Sequence, residues 1–300
     1  MRTEIVTEII LLAKRDKRLV FLTGDLGFNA FEHLREILGK RFINAGVAEQ
    51  NMIDVAAGMA RMGLHPWVYS IAPFLTLKAF EQVRNNICHP NLPVKFLGNG
   101  GGYGYGIMGE THHALEDVAI FSALPNIKIF APAFKEDIPS IVKIMSLSKT
   151  PSYARLNLLQ TSGIKKFRYG KLRKIREGKK LTVIVLGYLV HNVLKGLESL
   201  RQTNAVDLWC VTEIPFTLST PLLNSLRSTK KLLIIEEHGF SGGLGEKILA
   251  KLMKKKMNIN TFSHLFARGY HSGLYGSHTF HLKENHLDVK GISRQITRML

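Results

Sequence analysis

The chain has 300 residues, which is enough for one large domain or two medium-sized ones, because a domain usually has about 100 to 200 residues. With 45% hydrophobic and 21% charged residues, its composition excludes a disordered or fibrous protein and predicts a folded, soluble one. The 41 Lys and Arg residues exceed the 23 Asp and Glu residues, and the net charge of +18 raises the question of a polyanionic partner.

Membrane and disulfide classes are also excluded. The longest apolar stretches, residues 9–13 and 181–190, are shorter than the roughly 18 residues that a transmembrane helix needs. The N-terminus is acidic in part and lacks the cleavage site of a secretory signal, so we expect a cytoplasmic protein. Cys88 and Cys210 are too far apart for a CxxC motif, and we expect both to be buried thiols.

Helical and strand patterns alternate from the N-terminus onward. An amphipathic helix is predicted first, and a strand over residues 19–23 follows it. Further short apolar runs, bounded by turn residues, lie at 41–45, 67–70, 94–97, 127–131 and 153–156. This alternation predicts a mainly parallel sheet covered on both faces by helices, with any ligand at the carboxyl ends of the strands.

The same alternation resumes at residue 181. Strands are predicted at 181–186, 206–211, 232–235 and 259–262, and helices begin near residues 190 and 245. We therefore predict an α/β protein of two doubly wound domains, with a first domain over residues 1–165, a basic linker over 166–180 and a smaller domain over 181–300. The last 35 residues, which are rich in His, Gly and Ser, show little pattern, and we expect His278 and His281 to lie at the surface or in an interface.

The segment 165–180 holds nine basic residues and one acidic residue. A solvated linker explains it most simply. A nucleic-acid-binding module is the alternative, but it would need aromatic residues between the basic ones, and only Phe167 and Tyr169 are present. We therefore do not expect nucleic acid as a partner.

Glu49 stands where a predicted strand ends and a helix begins, in the sequence GVAEQN. It could simply stabilise the positive end of the helix dipole, an effect of about 0.3 to 1 kcal/mol. Alternatively, small residues on the following helix, such as Ala56 and Ala57, leave space beside this carboxyl for a flat ligand.

Seven of the twelve residues from Gly98 to Gly109 are glycine. A GxGxxG match at 104–109 lacks the acid that a dinucleotide site needs at the end of the next strand, so we expect the glycines to let backbone approach a ligand or a facing chain.

His112 and His113 follow the glycine-rich stretch. Adjacent histidines point in different directions and no further ligand has metal-site spacing, so His112 is better suited to proton transfer than to metal binding.

Several motifs resemble the pyrimidine-binding domain of transketolases. They are RFINAGVAEQNMIDVAAGMARMG, PWVYSIAPFLTLKAFEQVRNNI, the glycine-rich stretch with GETHHALEDVAIF, and PSYARL. The whole chain resembles the carboxyl-terminal half of the enzyme, as found in two-subunit split transketolases, strongly over residues 23–156 and more weakly over 182–252. This resemblance implies a subunit of a thiamine-diphosphate-dependent enzyme that transfers a two-carbon ketol unit from a ketose to an aldose.

The resemblance also implies roles for matching residues at the cofactor. Glu49 matches the catalytic glutamate that hydrogen-bonds the aminopyrimidine nitrogen of thiamine diphosphate. Phe74 resembles the aromatic residue that stacks on the pyrimidine, with Tyr69 as a neighbouring candidate, although core packing would explain either residue. Asp25 matches an acid near the thiazolium, and a turn role is equally consistent with its sequence.

Two further matches concern the substrate. His112 matches the family histidine that contacts the reacting part of the sugar, and Arg155 matches an arginine that binds its anionic end, for which a planar guanidinium is suited. Met108 stands where transketolases commonly have an acid, and Gly100 replaces a phosphate-binding histidine. These departures suggest an unphosphorylated or modified sugar.

The family's Mg²⁺-binding motif is absent from the sequence, where residues 24–27 read GDLG. The resemblance therefore implies a partner, the N-terminal diphosphate-binding subunit, which binds Mg²⁺ and forms a heterotetramer with two copies of each chain. The alternatives are a 1-deoxyxylulose-5-phosphate synthase-like subunit, a 2-oxo acid dehydrogenase beta subunit and a non-catalytic scaffold paralogue. The histidine pair and GVAEQN favour transketolase over the dehydrogenase.

Overall fold

The computed structural model describes residues 1–27, 29–157, 167–198 and 204–300. The strands of the first half are β1 (Leu19–Thr23), β2 (Phe42–Asn44), β3 (His65–Ile71), β4 (Lys95–Asn99), β5 (Lys128–Phe130) and β6 (Ser152–Leu156). Its helices are α1 (Arg2–Arg15), α2 (Glu32–Leu38), α3 (Glu49–Arg61), α4 (Phe80–Gln82), α5 (Asp117–Ser122) and α6 (Ile138–Leu147).

The second half has strands β7 (Leu172–Arg176), β8 (Leu181–Leu186), β9 (Val206–Val211), β10 (Glu213–Ile214), β11 (Lys231–Ile235) and β12 (Thr261–Leu265). Its helices are α7 (Val190–Glu198), α8 (Thr220–Thr229), α9 (Leu244–Lys254), α10 (His278–Glu284) and α11 (Val289–Met299). The predicted strands 19–23, 181–186 and 206–211 coincide with β1, β8 and β9, which confirms the α/β prediction at these places.

The first sheet has seven strands in the order β10-β5-β6-β4-β3-β1-β2. Every neighbouring pair is parallel except β10 with β5. Because parallel strands end at the same edge of a sheet, the segments that follow β1, β2, β3 and β4 lie side by side. This edge is where the candidate site lies.

The second sheet has five strands in the order β12-β11-β8-β9-β7, with β7 antiparallel to β9. Strand β7 lies inside the predicted basic linker, so these five residues form an edge strand where a linker was expected. The strand is stabilised because Arg173 and Ile175 face inward while Lys174 is exposed. Residue 166, where the predicted linker begins, lies outside the described residues.

The two halves are joined by more than the chain connection. Strand β10 comes from the second half but extends the first sheet. The guanidinium of Arg173 on β7 donates to Asp137 at 2.7 Å, and both side chains are buried. The two cysteines are free and buried, as predicted.

The C-terminal segment is more regular than its sequence pattern suggested. Helices α10 and α11 are capped at their N-termini by Ser277 and Asp288, whose side chains accept hydrogen bonds from the backbone N–H groups of Phe280 and Gly291. Such caps are sequence signals that a search for periodicity alone misses. In the described parts of the chain, no helix is both long and apolar enough to cross a bilayer.

Candidate active site

Glu49 is the first residue of α3 and only 1% of its surface is exposed. Its carboxylate has two donors: Ser70 Oγ lies 3.1 Å from Oε1, and Lys78 Nζ lies 2.7 Å from Oε2. The N-terminal end of α3 adds a favourable dipole. A β-carbon on Gly24 would lie 3.1 Å from Glu49 Oε1, so the glycine after β1 allows this carboxylate to approach the backbone.

The small residues of α3 have a packing role in the structure. Ala56, Ala57 and Ala60 are buried in the hydrophobic core together with Val68 of β3. Their size lets the helix pack closely on the sheet, which fixes the position of Glu49 at the sheet edge. These alanines therefore contribute to the position of the Glu49 carboxylate through the packing of α3.

Phe74 and His112 lie next to each other, and Lys78 links this pair to Glu49. Phe74 follows β3 in the wide helical turn Phe74–Lys78 and is half-buried, and its ring centroid lies 5.3 Å from that of His112. Lys78 Nζ lies 5.9 Å from the Phe74 centroid, so this ammonium connects the ring with Glu49. The structure thus brings together three of the predicted residues, Glu49, Phe74 and His112.

Lys78 is a member of this group that sequence reasoning did not identify. Its side chain is 43% exposed and also donates to the Val47 carbonyl oxygen at 3.3 Å. The widened turn at Phe74–Lys78 places residue 78 over the carboxylate, and apolar periodicity contains no signal for such a turn. Its nearness to Phe74 in the sequence was the only available indication.

The structure places Asp25 at the same edge, in a turn. Its backbone N–H donates to Asn44 Oδ1 at 3.0 Å, and Asn44 Nδ2 donates to Asp25 Oδ1 at 2.8 Å. Its φ of 56° is one that Asp adopts more readily than most residues. Asp25 therefore has the turn position that its sequence allowed, while its role toward a cofactor stays a prediction.

Tyr69 lies on the other face of the sheet. Successive strand residues point to opposite faces, and Tyr69 packs edge-on against Phe31 at 4.6 Å while Ser70 faces Glu49. Burial raises the pKa of the Tyr69 hydroxyl above its usual value. This placement corresponds to the core-packing alternative and does not bring Tyr69 to Phe74.

Arg155 belongs to a buried ion pair. Its Nε donates to Asp117 Oδ2 at 2.8 Å, and its Nη2 donates to the carbonyl oxygens of Ala114 and Glu237. Asp117 also accepts from the Tyr153 hydroxyl at 2.7 Å. The guanidinium is thus engaged with protein groups beneath the glycine-rich loop, and its role in binding substrate stays a prediction.

The residues at the sheet edge fit the pyrimidine half of thiamine diphosphate. A buried carboxylate with two donors can accept from a ring nitrogen, and the half-buried ring of Phe74 offers a flat apolar surface. Among the residues that the structure describes, no three His, Cys, Asp or Glu side chains are grouped to hold a metal ion.

Comparison with known proteins identifies the two domains. Residues 1–159 match the transketolase pyrimidine-binding domain, and residues 170–263 match the transketolase C-terminal domain. The chain belongs to the transketolase family. A solved structure described as "Split gene transketolase, inactive beta4 tetramer" is 26% identical with a TM-score of 0.84, and the match covers 100% of this chain and 97% of that one.

Three relatives differ in the share of their own length that this chain matches. A 1-deoxy-D-xylulose-5-phosphate synthase of Clostridium perfringens is 30% identical over 98% of this chain, which spans only 48% of that enzyme. A putative transketolase C-terminal section of Methanocaldococcus jannaschii is 30% identical, covering 96% of this chain and 92% of the relative. A subunit of an apulose-4-phosphate transketolase of Actinobacillus succinogenes is 30% identical over 69% of this chain and 68% of its own length.

Proposed function

We propose that this chain is the pyrimidine-binding subunit of a thiamine-diphosphate-dependent transketolase that moves a two-carbon ketol unit from a ketose to an aldose. The observation that carries the proposal is the buried Glu49 carboxylate, which Lys78 links to the adjacent rings of Phe74 and His112. A non-catalytic scaffold would not need to bury a carboxylate at the carboxyl edge of a parallel sheet and bind it with Ser70 and Lys78, because burying a charge is costly.

Each residue has a chemical task in this proposal. When bound, thiamine diphosphate supplies the nucleophilic carbon and the electron sink that cleave the bond beside a ketose carbonyl. Glu49 holds the pyrimidine nitrogen and its proton, and Phe74 orients the ring. His112 donates a proton to, or accepts one from, a sugar oxygen in the reacting part of the substrate.

The surface around the site supports a partner subunit. Val47, Ile107 and Met108 are 72%, 74% and 53% exposed, although all three are apolar. The turn that carries Phe74 also borders a shallow hollow, which we call the apolar hollow; it is lined by Thr76, Leu77, Phe80, Ile120 and Ala123. Exposed apolar patches of this kind are typical of protein interfaces. We propose that an N-terminal, diphosphate-binding and Mg²⁺-binding subunit covers this face, in a heterotetramer with two copies of each chain.

The names of relatives also support an enzyme made of two different subunits. One relative is named as a subunit of a transketolase, and the similar solved structure is described as an inactive β4 tetramer. We propose that this chain likewise has no activity alone. The net charge of +18 suits a partner that is more acidic.

The first experiment is to isolate the protein from its native cell. We expect a second chain of similar size to co-purify in equal amount, with thiamine diphosphate and Mg²⁺. A chain that stays alone and binds no cofactor when both are added would refute the proposal.

The second experiment is a substrate panel with the assembled enzyme, using free ketoses, ketose phosphates, pyruvate with an aldose phosphate, and branched 2-oxo acids. Activity with a ketose donor supports transketolase. Activity with pyruvate would instead establish the synthase-like alternative, which the 30% identity to a 1-deoxy-D-xylulose-5-phosphate synthase over 98% of the chain favours as second candidate.

A further inference from the structure

The glycine-rich loop that carries His112 has little conformational preference of its own. Gly100, Gly102, Gly106 and Gly109 all have positive φ angles, between 51° and 77°. Glycine makes such a path accessible but loses more backbone entropy than other residues when it is ordered. The position of His112 therefore depends on contacts from outside the loop.

The C-terminal domain supplies contacts at the start of the loop. The backbone N–H of Tyr103 donates to Glu237 Oε1 at 2.7 Å, and its hydroxyl donates to the Gly269 carbonyl oxygen at 2.8 Å. The ring of Tyr103 stacks on His281 with a centroid distance of 4.9 Å. The same Glu237 oxygen accepts from His278 Nε2 at 2.7 Å. The His-rich segment is thus packed on the loop.

A second anchor fixes the end of the loop through His113. Its Nε2 lies 2.9 Å from the Gly106 carbonyl oxygen, and its Nδ1 lies 2.7 Å from the Tyr270 hydroxyl. A carbonyl can only accept, so Nε2 carries the hydrogen and the Tyr270 hydroxyl donates to Nδ1. His113, which directly follows His112, therefore binds the backbone at residue 106 through its imidazole. Tyr270 holds the imidazole in the tautomer that makes this hydrogen bond.

We propose that Tyr270 is a positioning residue for His112, acting through His113, and that the C-terminal domain of this family member thereby fixes one side of its active site. This inference rests on the proposed function for its kinetic part. Its structural part, the anchoring of residues 100–113 by Tyr270, is independent of that function.

The test compares Tyr270→Phe with Tyr275→Phe in the assembled enzyme. Both variants lose one hydroxyl and keep the ring; Tyr275 is 49% exposed. For Tyr270→Phe we expect kcat to fall by about 10- to 100-fold, as for a small misplacement of a catalytic group, with KM changed less than about twofold. We also expect the acid limb of the pH profile of kcat to move to higher pH, because Nδ1 of His113 loses a donor that favours its neutral form. Tyr275→Phe should behave as wild type.

Hydrogen exchange of the chain alone provides the independent measurement. Gly109, His112 and Ala114 donate backbone N–H groups to Gly106, Gly109 and Gly102, so faster exchange at these amides in Tyr270→Phe reports loss of the anchor. Tyr103→Phe, which removes a different bond to the C-terminal domain, should show the same effect.

The outcomes separate the two proposals. Unchanged kcat and unchanged exchange in Tyr270→Phe would overturn the inference, and so would a kcat loss that only follows a loss of folded protein with no shift of the pH profile. If the wild-type enzyme acts on no substrate in the panel, the proposed function fails. Faster amide exchange of the loop in Tyr270→Phe and Tyr103→Phe than in wild type would still support the anchor, and exchange equal to that of wild type would reject it.

Discussion

At the scale of single residues, a variant of Glu49 can remove the negative charge of the side chain while keeping its shape. Glu49→Gln keeps the side-chain size and an oxygen that can accept from Ser70 Oγ, but it removes the charge that Lys78 pairs with. We expect turnover by the assembled enzyme to fall at least about 100-fold, as when a proton-holding group is lost, and thiamine diphosphate to bind more weakly, while the circular dichroism spectrum stays unchanged.

The control for this variant is Glu81→Gln, which changes an exposed acid in the same region of the fold. It should retain wild-type turnover and cofactor affinity. Near-normal turnover in Glu49→Gln would contradict the catalytic assignment.

Arg155 permits a stability prediction at the same scale. Removing its guanidinium by Arg155→Ala leaves the buried Asp117 carboxyl without its ion-pair partner, and among the described side chains the Tyr153 hydroxyl is the donor that remains. Loss of one partner of a buried ion pair typically costs about 3 to 5 kcal/mol. Urea unfolding should show this decrease, whereas Arg227→Ala, at an exposed position on α8, should change the free energy of unfolding by less than about 0.5 kcal/mol. Equal effects of the two variants would show that the pair is not stabilising.

At the scale of elements, the positions of the predicted site residues followed from the strand pattern. Glu49 and Phe74 each come four residues after the end of a predicted apolar run, and the parallel alternation of runs and helices places such residues at one sheet edge. The pattern could not distinguish Phe74 from Tyr69, because a shift of a few residues at a strand end decides whether an aromatic ring faces the core. It also could not predict the widened turn that brings Lys78 to Glu49, or the edge strand β7, whose basic residues resemble a linker.

The histidine cluster predicts acid sensitivity of the glycine-rich loop. Burial lowers the pKa of His113 to about 4, and it also lowers the pKa of His281. Tyr103, Tyr270, Glu237, His278 and His281 surround His113. Since the folded pKa of His113 lies below the unfolded value of about 6.5, the unfolded state binds the proton first as the pH falls. Stability is therefore complete above about pH 6.5 and decreases from there toward pH 4.

Urea unfolding at pH 7 and pH 4.5 measures this effect. His113→Gln cannot take up the proton, so its free energy of unfolding should depend less on pH than that of the wild type. His89→Gln, at an exposed position, should keep the wild-type dependence. The same pH dependence in His113→Gln and wild type would mean that other groups cause the acid sensitivity.

At the scale of the whole molecule, exposed apolar residues lie on the segments that carry Glu49 and His112, the residues proposed to be catalytic. Composition alone could not reveal this, because the sequence does not tell which apolar residues the folded chain exposes. Val47 precedes α3, whereas Ile107 and Met108 belong to the glycine-rich loop, and only the sheet topology brings these two segments to Glu49 and His112. Part of the surface proposed for the partner therefore lies on the same chain segments as the site, and the turn Phe74–Lys78 belongs to both the site and the apolar hollow.

This shared turn predicts that a charge in the apolar hollow blocks assembly without unfolding the chain. Leu77 is 44% exposed there, so Leu77→Glu should leave the thermal unfolding midpoint nearly unchanged but weaken association with the partner subunit at least about tenfold, since burying an unpaired carboxylate costs more than about 1.4 kcal/mol. Met253→Glu introduces the same charge at a residue of α9 that is 73% exposed, and it should assemble normally. Co-purification and analytical ultracentrifugation measure both. Normal assembly of Leu77→Glu would place the partner elsewhere, whereas failure of both variants would point to a general effect of charge on a chain that is already strongly basic.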